Sequence, residues 1–191
     1  MSHYGIPGGL KVPELAKRVK WLLKRGNFKN GSIDLEAETF DRGKIFNHPL
    51  ITEIILQQWF SNAKSDVWAR NEMVKQKRIF PSVIVLVITC IESCLMAWSL
   101  GKETKHNFSE DNCSERYHFF MKAYESLQKN APDHVNNLEE EMFIYVMKYK
   151  HMGVSVEEEV EDAVEDESHG VNFAALNAAA ASRHASHSST A

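Results

Sequence analysis

The sequence predicts an all-α fold: a compact bundle of about five helices around a buried apolar helix at residues 83–100, with a disordered acidic C-terminal tail. Three observations carry that expectation. Apolar residues recur at spacings of three and four through most of the chain up to residue 153, the period of a helix face. Prolines and glycines stand at the ends of those runs, where they start and stop helices. The last 38 residues hold eight acids against the single Arg183 and then turn rich in Ala, Ser and His.

The first helix begins at Pro13 and stops before Gly26, with Val12, Leu15, Val19, Leu22 and Leu23 as its apolar stripe. Residues 26–48 show no sustained period and read as a loop, with a short hairpin around Asn30-Gly31. Asn47-His48-Pro49 opens a second helix running to about Ser61. Ile51, Ile54, Ile55 and Trp59 form one face of it, widened by Leu50, Leu56 and Phe60. Residues 62–79 are polar, and Val67, Trp68, Met73 and Val74 mark a short irregular helix.

Phe80-Pro81 ends that segment, and Ser82 starts the apolar helix that Gly101 caps. Ser109 caps a fourth helix with the face Tyr117, Phe120, Met121, Tyr124 and Leu127. Pro132-Asp133 opens a fifth, with Val135, Leu138, Met142, Tyr145, Val146 and Tyr149, ending near Gly153. The domain plan is a flexible N-terminus at 1–11, one helical domain at 12–153 and a tail at 154–191.

Composition narrows the class. At 191 residues with 43% hydrophobic content, the chain is neither wholly disordered nor Pro/Gly low-complexity. Three cysteines make no disulfide framework. The N-terminus lacks an apolar signal core, so the expected location is intracellular, cytoplasmic or nuclear, and the sequons at Asn30, Asn107 and Asn112 read as incidental. Residues 83–100 carry Glu92 as their only charge and sit at the length threshold of a membrane span. A buried core helix is the favoured reading and a single-pass span the rival. The net charge of −4 conceals a division, because residues 1–153 hold 21 Lys/Arg and 18 Asp/Glu.

An ordered series of residues carries a resemblance. It runs through Trp21-Leu22-Leu23, His48-Pro49-Leu50-Ile51, Trp59-Phe60, Phe80-Pro81, Val85-Leu86-Val87-Ile88-Thr89, Trp98, Gly101, Phe108-Ser109, Tyr117 and Tyr124. From Val12 to about Leu138 the chain resembles a fungal, chiefly basidiomycete, family labelled domain of unknown function 6532. The resemblance implies a mostly helical fungal domain, here a shortened member lacking upstream helices, and it carries no catalytic residue.

The sharpest candidate surface is the basic helix. Trp21 lies opposite the apolar stripe, with Lys17, Arg18, Lys24 and Arg25 at helical neighbour spacing and Lys20 beside it. An indole among cations either packs against lysine stems or a partner, or stacks on a nucleobase while the cations hold phosphates. Cys90 and Cys94 read as buried small hydrophobes, and Cys113 as a thiol at a helix start with no base at neighbour spacing. Glu139, Glu140 and Glu141 read as a solvated face. His184 and His187 are close enough to chelate but lie in the tail. No Gly-rich phosphate loop, serine elbow or metal-ligand set is recognisable, so neither cofactor nor metal is expected.

The expected function is therefore a non-enzymatic protein-interaction module with a protein partner. The alternative is a nucleic-acid-associated protein using helix 13–25, masked by the acidic stretch from Glu157 to Glu167.

Overall fold

Among the described residues six α-helices form, because apolar stripes at the helical period need cover. The computed structural model describes residues 2–61, 67–106 and 108–150, the side chain of Asn112 excepted. The helices are α1 (Val12–Leu23), α2 (Pro49–Ile55), α3 (Val67–Gln76), α4 (Pro81–Ala97), α5 (Glu110–Asn130) and α6 (Pro132–Tyr149). Among the described residues there is no strand, only one isolated antiparallel bridge between Asp34 and Thr39. The all-α expectation holds. The acidic stretch and the tail beyond residue 150 lie outside the described residues.

Where one domain was expected at 12–153, the chain groups into two compact units. The first comprises Met1–Ile55 and Phe80–Tyr124, the second Leu56–Ile79 and Glu125–Ala191.

In the first unit α4 packs against α1 and α2. Its core holds Val19 and Leu22 of α1, Phe28, Ile51 and Ile55, Ile84 and Ile88 of α4, and Phe120 and Tyr124 of α5, all fully buried. Rings pack edge to face here, Phe28 on Phe120 and Phe46 on Tyr124. Thr89 is accommodated inside the apolar helix because its hydroxyl donates to the Val85 carbonyl at 2.9 Å.

One expectation for this region needs correction: α4 is not buried all round, since Leu86, Cys94 and Met96 are exposed and Cys90 is half-buried. Leu86, Cys90 and Cys94 repeat at four residues, so they form one solvent-facing stripe. As to the rival reading of a span, α4 is a 17-residue helix, and among the described residues no helix is long and apolar enough to cross a membrane. Its lone charge, Glu92, is 4% exposed and held by Arg116 of α5 through two hydrogen bonds of 2.6 and 2.7 Å.

The N-terminal residues, expected to be flexible, are folded onto the first unit. Ser2–Tyr4 forms a 3-10 turn, Tyr4 and Ile6 are buried, and the Tyr4 hydroxyl donates to the Phe28 carbonyl at 3.2 Å. The Tyr4 ring lies 4.4 Å from that of His48. His48 is itself buried, and its Nδ1 accepts the Leu50 N–H at the start of α2.

Burial, with His3 adding repulsion, lowers the His48 pKa to about 4. Free imidazole in an unfolded chain takes its proton near 6.5. Between those values the unfolded state binds more protons, so folding stability is full above pH 6.5 and falls as pH drops towards 4. Glu53, paired with His3 at 3.2 Å, has a carboxyl pushed up by burial and titrates with the opposite sign. The imidazole contribution is isolated by comparing urea midpoints of the native protein and His48→Asn from pH 7.5 to 4.5. The native protein should lose more stability than the variant as pH falls; parallel curves would show that His48 carries none of it.

A turn at residues 98–101 takes the chain off α4. Gly101 has φ +75, and a Cβ there would overlap the Val12 carbonyl and lie 2.8 Å from its carbon. A side chain is therefore excluded both by the left-handed backbone and by the start of α1. Gly101→Ala should cost about 2 kcal/mol in urea unfolding, and a change below a few tenths would show that the turn relaxes freely.

In the second unit Leu56–Phe60 forms a π-turn, closed by Ser61 N–H donating to Leu56 O at 2.8 Å. This turn packs against α3 and α6. The unit's buried apolar residues include Leu56, Phe60, Met73, Ile79, Val135, Leu138, Met142 and Val146. Contrary to the expectation of a solvated face, the acidic run on α6 is not uniformly exposed. Glu140 and Glu141 are exposed, but Glu139 has no exposed surface and pairs with Arg78, whose Nε donates to its Oε2 at 2.7 Å. A second donation comes from Arg78 Nη2, which also reaches Asn136 at 3.2 Å.

Candidate basic groove

The candidate surface is built by α1 and by the way it ends. Pro13 sits in the first turn, and Val19 and Leu22 fix the buried side, which leaves Lys17, Lys20 and Trp21 away from the core. The helix stops at Leu23, two residues short of the expected end. Lys24 is extended (φ −60, ψ 111), and Arg25 (φ 56) and Gly26 (φ 70) are both left-handed. Helical neighbour spacing therefore relates Trp21 to Lys17 and Arg18 but does not extend to Lys24 and Arg25.

The freed carbonyls at this end find donors in side chains. Asn27 Nδ2 donates to Trp21 O at 3.0 Å, and Lys29 Nζ donates to Gly26 O at 2.9 Å and Arg25 O at 3.4 Å. Lys29 is 9% exposed, with its ammonium 5.1 Å from the centre of the Phe46 ring. Burial lowers its pKa to about 8, and the Glu92 carboxylate partly opposes the shift. Lys29 thus acts as an internal brace for the turn that carries Arg25, a role the sequence did not single out.

Facing α1 is a small acidic hairpin at residues 34–39, four residues beyond the expected Asn30-Gly31 position. Asp34 and Thr39 exchange two backbone hydrogen bonds of 2.9 and 3.0 Å. Asp34 Oδ1 also accepts the Glu36 and Ala37 N–H groups, each at 2.9 Å, so the aspartate folds the turn over itself. Asn30, the expected turn residue, is instead buried, and Gly31 is packed against Lys44 and the Asn47 carbonyl.

Hairpin and helix enclose a groove of about 210 Å³. Half-buried Trp21 lines it with Glu14, Lys17 and Arg18 from α1 and Leu35, Glu36 and Glu38 from the hairpin. Lys17 Nζ lies 3.1 Å from Glu38 Oε1, and Arg18 Nη2 lies 3.9 Å from Glu36 Oε1. Among the described residues, no carboxylate forms an ion pair with Lys11, Lys20, Lys24 or Arg25. The surface is thus an indole-lined groove whose two nearest cations already hold carboxylates, with further cations along the helix and its terminal turn.

A second cavity of about 210 Å³ is lined by Tyr4, Leu50, Ile54, Cys90, Ile91, Cys94, Leu95 and Trp98. It places Cys90 and Cys94 at a cavity wall rather than in the packed core expected for them. Burial and the neighbouring thiols raise the Cys90 pKa, and burial raises that of Tyr4, so neither is a ready nucleophile. Cys113 is buried, and His118, five residues on, has Nδ1 2.7 Å from the Ser114 carbonyl. Among the described residues, no group of three or more His, Cys, Asp or Glu side chains is placed to hold a metal ion.

The helices of the described residues define the class: an all-helical protein, with a mixed-charge groove beside α1. The family model described as Domain of unknown function (DUF6532) matches residues 1–127, and the chain belongs to that family. The match covers the first unit and the residues of α1 to α5 that carried the resemblance. No curated protein and no solved structure matches the chain.

Proposed function

We propose that the protein is a non-enzymatic protein-interaction module whose contact surface is Lys17, Arg18, Lys20, Trp21, Lys24 and Arg25. The observation that carries this reading is the groove of α1, which half-buried Trp21 lines together with Lys17 and Arg18, whose cations hold carboxylates at 3.1 and 3.9 Å. Aromatic and arginine side chains together are the residue types that anchor protein interfaces. A single-strand nucleic-acid track needs a continuous positive path for closely spaced phosphates, and Glu14, Glu36 and Glu38 interrupt such a path here.

The test compares proteins retained by immobilised full-length protein and by Trp21→Ala, which keeps every charge, after nuclease treatment at physiological salt. The reading expects a retained set that depends on Trp21. A salt-steep RNA gel shift lost in Trp21→Ala, with no such retained set, would replace it with the nucleic-acid alternative.

A further inference from the structure

We infer that the partner presents an acidic peptide segment that takes the place of the protein's own 34–39 hairpin on the α1 groove. The inference rests on the interaction-module reading and names the chemistry of its partner. The hairpin supplies the pattern. Leu35 lines the groove with Trp21, and Glu36 and Glu38, two residues apart, face Arg18 and Lys17. The ligand this groove fits is accordingly a short segment with an aliphatic side chain followed by two alternating carboxylates.

The hairpin's hold is weak enough for replacement. Lys17 and Glu38 are 77% and 43% exposed, and Arg18 and Glu36 are 25% and 87% exposed. Pairs so accessible to water hold only weakly. The hairpin has a single backbone bridge, and two-stranded turns of that size are marginal without further support. Charge complementarity then favours a longer acidic segment over the hairpin. The hairpin engages only Lys17 and Arg18, whereas a partner running along α1 and its terminal turn also meets Lys20, Lys24 and Arg25, which have no ion pair among the described residues.

The experiment uses full-length ¹⁵N-labelled protein, the Trp21 indole N–H resonance as readout and a synthetic peptide of residues 32–40, Ser-Ile-Asp-Leu-Glu-Ala-Glu-Thr-Phe, as probe. The protein forms are native, Glu36→Gln/Glu38→Gln and Lys17→Glu/Arg18→Glu. Neutralising the hairpin should tighten peptide binding about threefold or more, since it removes the weak internal competitor. Charge reversal at Lys17 and Arg18 should abolish binding, as should replacing both peptide glutamates by glutamine.

Equal affinity for native and hairpin-neutralised protein, or equal binding of the glutamine peptide, overturns the inference. A peptide of residues 155–167 that binds more tightly than the hairpin peptide also overturns it, because the occupant is then the chain's own acidic stretch. Should the peptides fail while Trp21-dependent protein retention persists, the interaction-module reading stands and only this partner chemistry falls. Loss of both results removes both.

Discussion

Arg78→Ala is expected to lower folding stability by about 3–5 kcal/mol, a large part of the margin that holds an ordinary domain together. The reason lies in what the substitution leaves behind. Glu139 has no exposed surface, and Arg78 donates to it from both Nε and Nη2 while also reaching Asn136. The adjoining backbone is tied to the same residue, with Ile79 N–H donating to Glu139 O at 3.2 Å. Removing the guanidinium takes its countercharge and two charge-assisted hydrogen bonds from a carboxylate with no exposed surface. Removing both charges is a different experiment. Arg78→Leu/Glu139→Leu should recover most of the loss, because buried pairs replaced together by apolar groups are often neutral or better. Urea unfolding followed by circular dichroism decides it. A single-variant loss below about 1 kcal/mol would mean that water reaches Glu139 and that the pair belongs with ordinary surface pairs.

The same residue shows how far the sequence could be read. Glu139, Glu140 and Glu141 are chemically identical in a one-dimensional pattern, and only the rotation of α6 decides which is turned inward. On a 3.6-residue period Glu139 follows Val135 at four and precedes Met142 at three, which places it on the buried stripe. Its partner Arg78 is 61 residues away, and no local rule connects them. Helix starts at Pro13, Pro49 and Pro132 were legible because each proline falls at a first turn, where a missing N–H costs nothing, whereas Pro81, read as closing the preceding segment, is itself the first residue of α4.

Local turn chemistry was harder. Gly26 marked the end of α1 two residues late: the helix closes at Leu23, and Asn27 and Lys29 supply donors to carbonyls of its terminal turn. Asn30-Gly31 looked like a turn and became a packed crossing, while Asp34, which folds the real hairpin by accepting two backbone N–H groups, had no apolar alternation to announce it. Of the candidate site, Trp21, Lys17 and Arg18 were found from α1 alone. Leu35, Glu36 and Glu38 were not, because what makes them part of the groove is the path of the chain between α1 and α2.

The apolar helix α4 offers the sharper asymmetry. Arg116→Ala is expected to cost about 2–4 kcal/mol, whereas Glu92→Leu should cost less than about 1 kcal/mol. The two side chains form one bidentate pair, with bonds of 2.6 and 2.7 Å, but they differ in access to water. The Glu92 side chain is 5% exposed and that of Arg116 39%. A guanidinium that loses its carboxylate can turn to solvent, and its present stacking over the rings of Phe119 and Phe120, at 4.5 and 5.1 Å, gives it an alternative resting place. A carboxylate on α4 that loses its guanidinium has no comparable exit. The pair therefore does not hold α4 in place by attraction so much as permit a charge there at all. Urea midpoints of the two variants, read side by side, test this directly. Equal losses would show the attraction itself to be the main contribution, and a larger loss for Glu92→Leu would show that Arg116 is the residue unable to reach water.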